Sequence, residues 1–200
     1  MGKTDYLWPE LLTFGLPGKE KSTVNTDNLR PEFVQEVPQG DDRERNVCTH
    51  CGFIVYENPK VVVGSVAVAD QHILLCKRAI EPRKGYWTLP AGYMELGETV
   101  EQAALREAWE EARARLKIDR ILAVYSIPHI SQVQVMFRTG LENPDSIACG
   151  PESDAVKLFL WDEIPWTELA FPSVYWALNH YRETRMSRNF PPFANPADGL

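Results

Sequence analysis

Three glutamates, Glu107, Glu110 and Glu111, stand at positions i, i+3 and i+4 of one short stretch. On an α-helix that spacing brings all three carboxylates within an arc of about 100°. Left alone they repel one another and weaken the helix. A divalent cation reverses the sign of that effect, and a set of hard oxygen ligands suits Mg²⁺ or Mn²⁺. Glu-x-x-Glu-Glu by itself is more often a solvated helix face. The longer pattern is more specific: Gly92, five residues, Glu98, seven residues, then Arg106-Glu107-Ala108-Trp109-Glu110-Glu111.

The elements that must position these residues can be read around them. Thr99 followed three residues on by Gln102 is a capping-box pattern, which predicts a helix from Val100 to about Ala112. Val100, Ala103 and Ala104 lie one turn earlier on the acidic arc and are small enough for another backbone segment to approach. Leu105 and Trp109 on the opposite side are predicted to be core, and Arg106 can pair with Glu110 four residues later. Gly92 and Gly97 flank the loop before the helix, where an exposed carbonyl could add a metal ligand. Residues 61–69 and 72–78 read as a hairpin turning at Asp70-Gln71. Residues 86–89 are a short apolar segment before Pro90; further strands are expected at residues 121–127, 133–138 and 156–161, and a second helix over residues 173–185 with Ser173 as N-cap. Strands interleaved with two helices imply an α+β fold or a mixed α/β sandwich.

Composition narrows the function. The formal net charge is −7, which disfavours nucleic-acid binding and would equally repel a nucleotide phosphate unless a cation mediates. No apolar run reaches the ~20 residues of a membrane span. The first residues lack an apolar signal region, so a cytoplasmic location and reduced thiols at Cys48, Cys51, Cys76 and Cys149 are the expectation. Residues 1–46, punctuated by Pro9, Pro17, Pro31 and Pro38, read as an irregular arm, and residues 191–200 as a tail.

Outside the acidic helix, Glu152 follows Gly150-Pro151 in a loop, where it could serve as general base or extra metal ligand, or be a plain surface glutamate. Arg78 ends a strand and could pair with a phosphate; a solvated strand end is the alternative. Ser131 and Gln132 open a strand and could hydrogen-bond a substrate, and Gln132 and Gln134 share one strand face. Tyr86, Trp87 and Tyr93 could stack on a base, with core packing favoured for Trp87.

From residue 61 to residue 181 the chain resembles the Nudix hydrolase family, through the Gly92 to Glu111 pattern. That resemblance implies an α/β/α sandwich with a mixed sheet and a loop-helix-loop that binds Mg²⁺ or Mn²⁺. It further implies Glu107 and Glu111 as ligands, with Glu110 and the carbonyl of Ala91 assisting, and Glu98 and Arg106 as an orienting pair. The family usually has glycine two positions after the last glutamate. Arg113 stands there instead, which suggests a longer helix or a different turn.

A narrower resemblance rests on Cys48-Thr49-His50-Cys51-Gly52, residues 58–64, residues 87–93, residues 150–153 and residues 170–173. These look like the branch of flavin adenine dinucleotide and ADP-ribose pyrophosphatases, with NADH pyrophosphatases more distant. The implied reaction splits a nucleotide diphosphate linkage into AMP and a second monophosphate; Arg78, Tyr93 and Gln132 would contact a small-molecule substrate, and a homodimer is implied. The branch often carries a zinc ribbon of two Cys-x-x-Cys knuckles. Only Cys48 and Cys51 are present, residues 1–47 contain no cysteine, and structural zinc normally takes four ligands. Residues 47–60 therefore read as a residual knuckle without zinc. Two rival functions remain: a nucleoside-triphosphate pyrophosphohydrolase acting on oxidised nucleotides, and a non-catalytic nucleotide-sensing module.

Overall fold

The computed structural model describes residues 31–197, which fall into two compact units parting between Tyr56 and Glu57. The first unit holds an antiparallel sheet of three strands, β1 (Phe33–Glu36), β2 (Arg45–Cys48) and β3 (Ile54–Val55), in that order. The part of the expected irregular arm that is described is thus a sheet. β1 is exposed throughout and β2 and β3 are only four and two residues long, too short to show a burial period, which is why the sequence reads as irregular. Asp41 anchors the β1–β2 turn through an ion pair with Arg45 at 2.9 Å, which holds its carboxyl down at about 2. In the Cys48 knuckle, Cys48 N–H donates to Phe53 O and Gly52 N–H to Cys48 O. The backbone N–H groups of His50 and Cys51 hold the Cys48 thiol below its usual pKa. Residues 1–30 of the expected arm lie outside the described residues.

The second unit is a mixed sheet between two helices. Its strands are β4 (Lys60–Ala69), β5 (His72–Arg78), β6 (Trp87–Thr88), β7 (Ala91–Tyr93), β8 (Leu116–Ile127), β9 (Gln132–Leu141) and β10 (Ser153–Leu160). The path runs β10-β5-β4-β9-β8, with β4 and β9 parallel and the other neighbours antiparallel. The β4–β5 hairpin pairs only at Val68–Ile73 and Ala69–His72, then splays. β6 pairs with β5 and β7 with β4, so these short strands stand in the opening.

Helix α1 (Val100–Ala112) covers one face, setting Ala103 and Ala104 on Val63 and Phe137, and Ala108 and Ala112 on Ala67, Leu74 and Cys76. Helix α2 (Pro172–Thr184) covers the other, with Val174, Ala177 and Leu178 on Val66, Leu75, Tyr125 and Met136. Alternation along β4 and β5 sends successive side chains to the two cores, giving the α/β/α sandwich expected. Residues 191–197 are less free than a tail: Phe193 exchanges backbone hydrogen bonds with Leu122 and Val124, and the Asn195 side chain pairs with Ser126. This segment covers the outer edge of β8.

Three local expectations are corrected. Leu105 and Trp109 are not core, being 37% and 43% exposed; small alanines, not large side chains, let α1 lie close to the sheet. Ser173 is buried inside α2, whose N-cap is Phe171 with Pro172 at the first helical position. Finally, α1 does not run past Ala112. Arg113 adopts the left-handed conformation itself, at φ 51°, and its N–H closes on Ala108 and Trp109 carbonyls. A non-glycine residue there costs about 1 kcal/mol, partly offset by the guanidinium lying 5.6 Å from the Trp109 ring centre.

Because relief of the backbone strain and loss of that stacking oppose each other, Arg113→Gly should stay within about 0.5 kcal/mol of the parent in urea unfolding. Arg113→Val should lose about 1–2 kcal/mol, since a β-branched residue tolerates positive φ worst. An unchanged valine variant would show that the left-handed cap is not required.

Candidate active site

The Thr99 side chain accepts from Gln102 N–H at 3.2 Å, and Gln102 Oε1 accepts from Thr99 N–H at 2.9 Å, so the capping box fixes where α1 begins. Its phase then puts Ala103, Ala104, Ala108 and Ala112 on the sheet and Glu107 and Glu111 at the buried margin. Gly92, opposite Val63 on β7, faces that margin, and a Cβ there would overlap the Glu107 carboxylate. Ala91 lies in a paired strand rather than a loop, and its N–H donates to Glu111 Oε2 at 3.2 Å.

Arg106 is the hub. Its Nε and Nη2 donate to the two oxygens of Glu98 at 2.6 and 3.0 Å. Nη1 donates to Glu107 Oε1 at 2.7 Å and Glu110 Oε2 at 3.0 Å, and Nη2 also reaches the Tyr93 carbonyl at 2.9 Å. This pairing holds Glu98 below the usual carboxylate range. Glu107 goes the other way: burial raises it more than Arg106 lowers it. Glu111 is buried and lacks any such partner, so desolvation pushes its pKa up to about 8, opposed by the Ala91 N–H. Glu107 and Glu152 push it the same way as burial, while the Arg78 charge pulls it down.

Glu152 is exposed, but its loop is anchored. Gly150 N–H donates to Glu111 O, Ala148 N–H to Ala112 O, and Ala79 N–H to Glu152 O at 2.8 Å. Gly150 presses so close to α1 that a Cβ would overlap the Glu110 carbonyl. Neither this contact nor the Ala91 N–H follows from residue spacing; the glycine two residues before Glu152 is the one sequence signal for the first. Arg78 Nε donates to Pro82 O at 2.8 Å and its guanidinium lies 5.3 Å from the Phe171 ring centre.

The strand-opening residues form a separate group. Gln132 Nε2 donates to the Tyr93 hydroxyl at 3.2 Å, and Lys60 Nζ lies 5.2 Å from the Tyr93 ring centre. Tyr93 joins the two groups, its carbonyl on Arg106 and its hydroxyl on Gln132. Ser131 is the left-handed residue before β9, not part of it. Trp87 packs edge-on against Phe159 beside the α2 core, while Tyr86 is exposed.

Among the described residues, no three carboxylate, thiol or imidazole groups already converge on one cation position. Glu107 and Glu110 are turned to Arg106 instead. The donor set nonetheless suits a hard divalent cation: oxygens only, two of them on buried carboxylates whose charge is disfavoured without a positive partner. Among the same residues no helix is long and apolar enough to cross a membrane.

The raised Glu111 pKa has a signed consequence. Between its ordinary value of 4.5 and about 8 the folded chain keeps a proton that the unfolded chain releases. Stability contributed by that group is therefore complete at low pH and lost as pH rises through this window. His180, held below its usual pKa by burial, acts oppositely as pH falls below its ordinary value of 6.5, but equally with and without metal. In chelator, the gap in thermal midpoint between metal-free protein and protein in Mg²⁺ should widen steadily from about pH 5 to about pH 8. A gap independent of pH would sink the assignment.

Residues 58–177 match the NUDIX domain profile, and residues 31–57 a Nudix N-terminal profile of the zinc-ribbon type. A NUDIX hydrolase from Nitrosomonas europaea is 45% identical and superposes with a TM-score of 0.76, covering 82% of this chain and 93% of its own. An ADP-ribose pyrophosphatase from Methanocaldococcus jannaschii is 45% identical over 74 residues, 37% of this chain and 44% of the relative. A NAD-capped RNA hydrolase NudC from Edwardsiella ictaluri is 29% identical over 119 residues, 60% of this chain and 46% of the relative. The chain thus spans about half the length of these two curated relatives. With the helix, its glutamates and its arginine lying inside a domain match that covers more than half of the 200 residues, the chain belongs to the Nudix hydrolase family.

Proposed function

We propose that this chain is a metal-dependent pyrophosphohydrolase that cleaves the diphosphate linkage of a small nucleotide such as ADP-ribose, FAD or NADH, releasing AMP and a second monophosphate. The observation that carries the reading is the buried Glu107–Glu111 pair: burial raises both carboxyls, Glu107 despite its bond to Arg106 and Glu111 with only the Ala91 N–H as a hydrogen-bond donor, so a further cation would stabilise both as carboxylates. Similarity to relatives named for ADP-ribose and for NAD-capped RNA supports the substrate class. The net charge of −7 favours a small molecule over a nucleic-acid chain.

Glu107, Glu111 and Glu110, with the carbonyl of Ala91, would hold Mg²⁺ or Mn²⁺. When bound, such a cation neutralises the diphosphate and lowers the pKa of water. The remaining work falls to the chain. Glu98 fixes Arg106, and Arg106 orients Glu107 and Glu110. Arg78, held by Pro82 O and Phe171, supplies a fixed positive charge for a phosphoryl oxygen. Glu152 takes the proton from the attacking water. The new P–O bond forms as the bridging P–O bond breaks, and the electron pair leaves on the departing monophosphate. Tyr93 and Gln132 place the rest of the nucleotide.

The first unit holds no zinc in this reading, because Cys48 and Cys51 supply two of the four ligands a structural site needs. Elemental analysis of purified protein should find far less than one zinc per chain; a stoichiometric content would overturn it.

The functional test is a panel of ADP-ribose, FAD, NADH and dGTP with Mg²⁺, read by product identity. AMP plus a second monophosphate is expected. Inorganic pyrophosphate from dGTP alone would select triphosphate hydrolysis, and no turnover at all would select a sensing module. On the best substrate, Glu111→Gln should lower turnover roughly 100-fold or more with the circular dichroism unchanged. Normal cleavage by that variant would remove Glu111 from the site.

A further inference from the structure

The outer face of α1 carries a stripe that neither the sheet nor the candidate site uses. Glu101, Leu105, Trp109 and Arg113 recur every four residues along it. Leu105 is 37% and Trp109 43% exposed, an apolar pair on a helix that meets the sheet through its own alanines. The ends of the stripe carry opposite charges. Glu101 is exposed in the first turn, and Arg113 closes the helix, with the Arg115 guanidinium also 5.8 Å from the Trp109 ring centre. Arg113 keeps this cation at a left-handed position that glycine would fill without strain.

An order of acid, apolar, apolar, base is complementary to itself when reversed. We propose that α1 packs antiparallel against α1 of a second copy of this chain about a two-fold axis between Leu105 and Trp109. Each Leu105 then meets the partner copy's Trp109, and each Glu101 meets the partner copy's Arg113. Rows of residues spaced by four are the ridges that interlock when helices pack at about 50°, and a two-fold interface brings the same patch of both copies together. One helix crossing buries a small area, so the dimer is reversible and salt-sensitive. Glu107 and Glu111 lie on the buried side of α1, away from this stripe.

Charge exchange tests this pairing. Within one helix Glu101 and Arg113 are about 18 Å apart, so they can meet only between copies. Sedimentation velocity of the full chain over micromolar to submillimolar concentrations should show a monomer–dimer equilibrium. Trp109→Glu should weaken it roughly tenfold or more without changing the circular dichroism. Glu101→Arg and Arg113→Glu should each weaken it, and the double variant should recover most of the loss. A monomer throughout, a dimer indifferent to Trp109→Glu, or a double variant as weak as the sum of the singles overturns the proposal.

Discussion

The acidic end of α1 depends on a single guanidinium. Arg106 gathers Glu98, Glu107, Glu110 and the Tyr93 carbonyl, four acceptors around one cation. Removing it would leave three carboxylates on one helical arc and a fourth in the preceding loop, with only the Arg78 charge, acting on Glu111, to offset their repulsion. It also ties that loop to the helix, since Glu98 is fixed on one side by Arg106 and on the other by the Glu95 N–H. What it leaves out is as informative. Glu111 receives only the Ala91 N–H, so the arc divides into a part satisfied within the protein and a part that is not.

Such a division needs carboxylates held at close quarters, and two glycines provide it. Gly92 lets β7 lie against the Glu107 carboxylate, and Gly150 lets the Glu152 loop lie against the backbone of Glu110 and Glu111. The first approach exists because the hairpin of β4 and β5 parts after two residue pairs. The opening admits β6 and β7, which carry Gly92 under α1 and leave Arg78, at the end of β5, beside Tyr86 and Ser153. A hairpin paired along its whole length would have no place for them.

The parts of this arrangement visible in the sequence are those set by local chemistry. The capping box of Thr99 and Gln102 fixed the start of α1, and spacing alone put Glu107, Glu110 and Glu111 on one arc. The strand valines of β4 marked the core on both faces. What was not visible depends on approach from a distance. Trp109 was assigned to the core by its type, but the alanines draw α1 so near the sheet that the tryptophan is left outside. Arg113 in place of glycine suggested a different exit, yet the tertiary contacts of Asn143 with the Arg113 carbonyl and the Arg115 N–H hold the same left-handed turn. The strands of the first unit escaped notice because β1 is exposed throughout and β2 and β3 are too short to leave a hydrophobic period to read.

Net charge describes the whole chain and not the site. The total is −7, which by itself would turn a diphosphate away. Locally the balance differs. Glu98, Glu107 and Glu110 share Arg106, and Arg78 adds a second cation close enough to act on Glu111. Even with the Arg78 charge acting on it, burial pushes Glu111 up to about 8, so without a metal ion it holds its proton at neutral pH. The resting site is thus far less negative than its glutamates count. Under the proposed function, a divalent cation displacing that proton would add more positive charge than the proton it replaces, and the metal and an anionic substrate would favour each other's arrival.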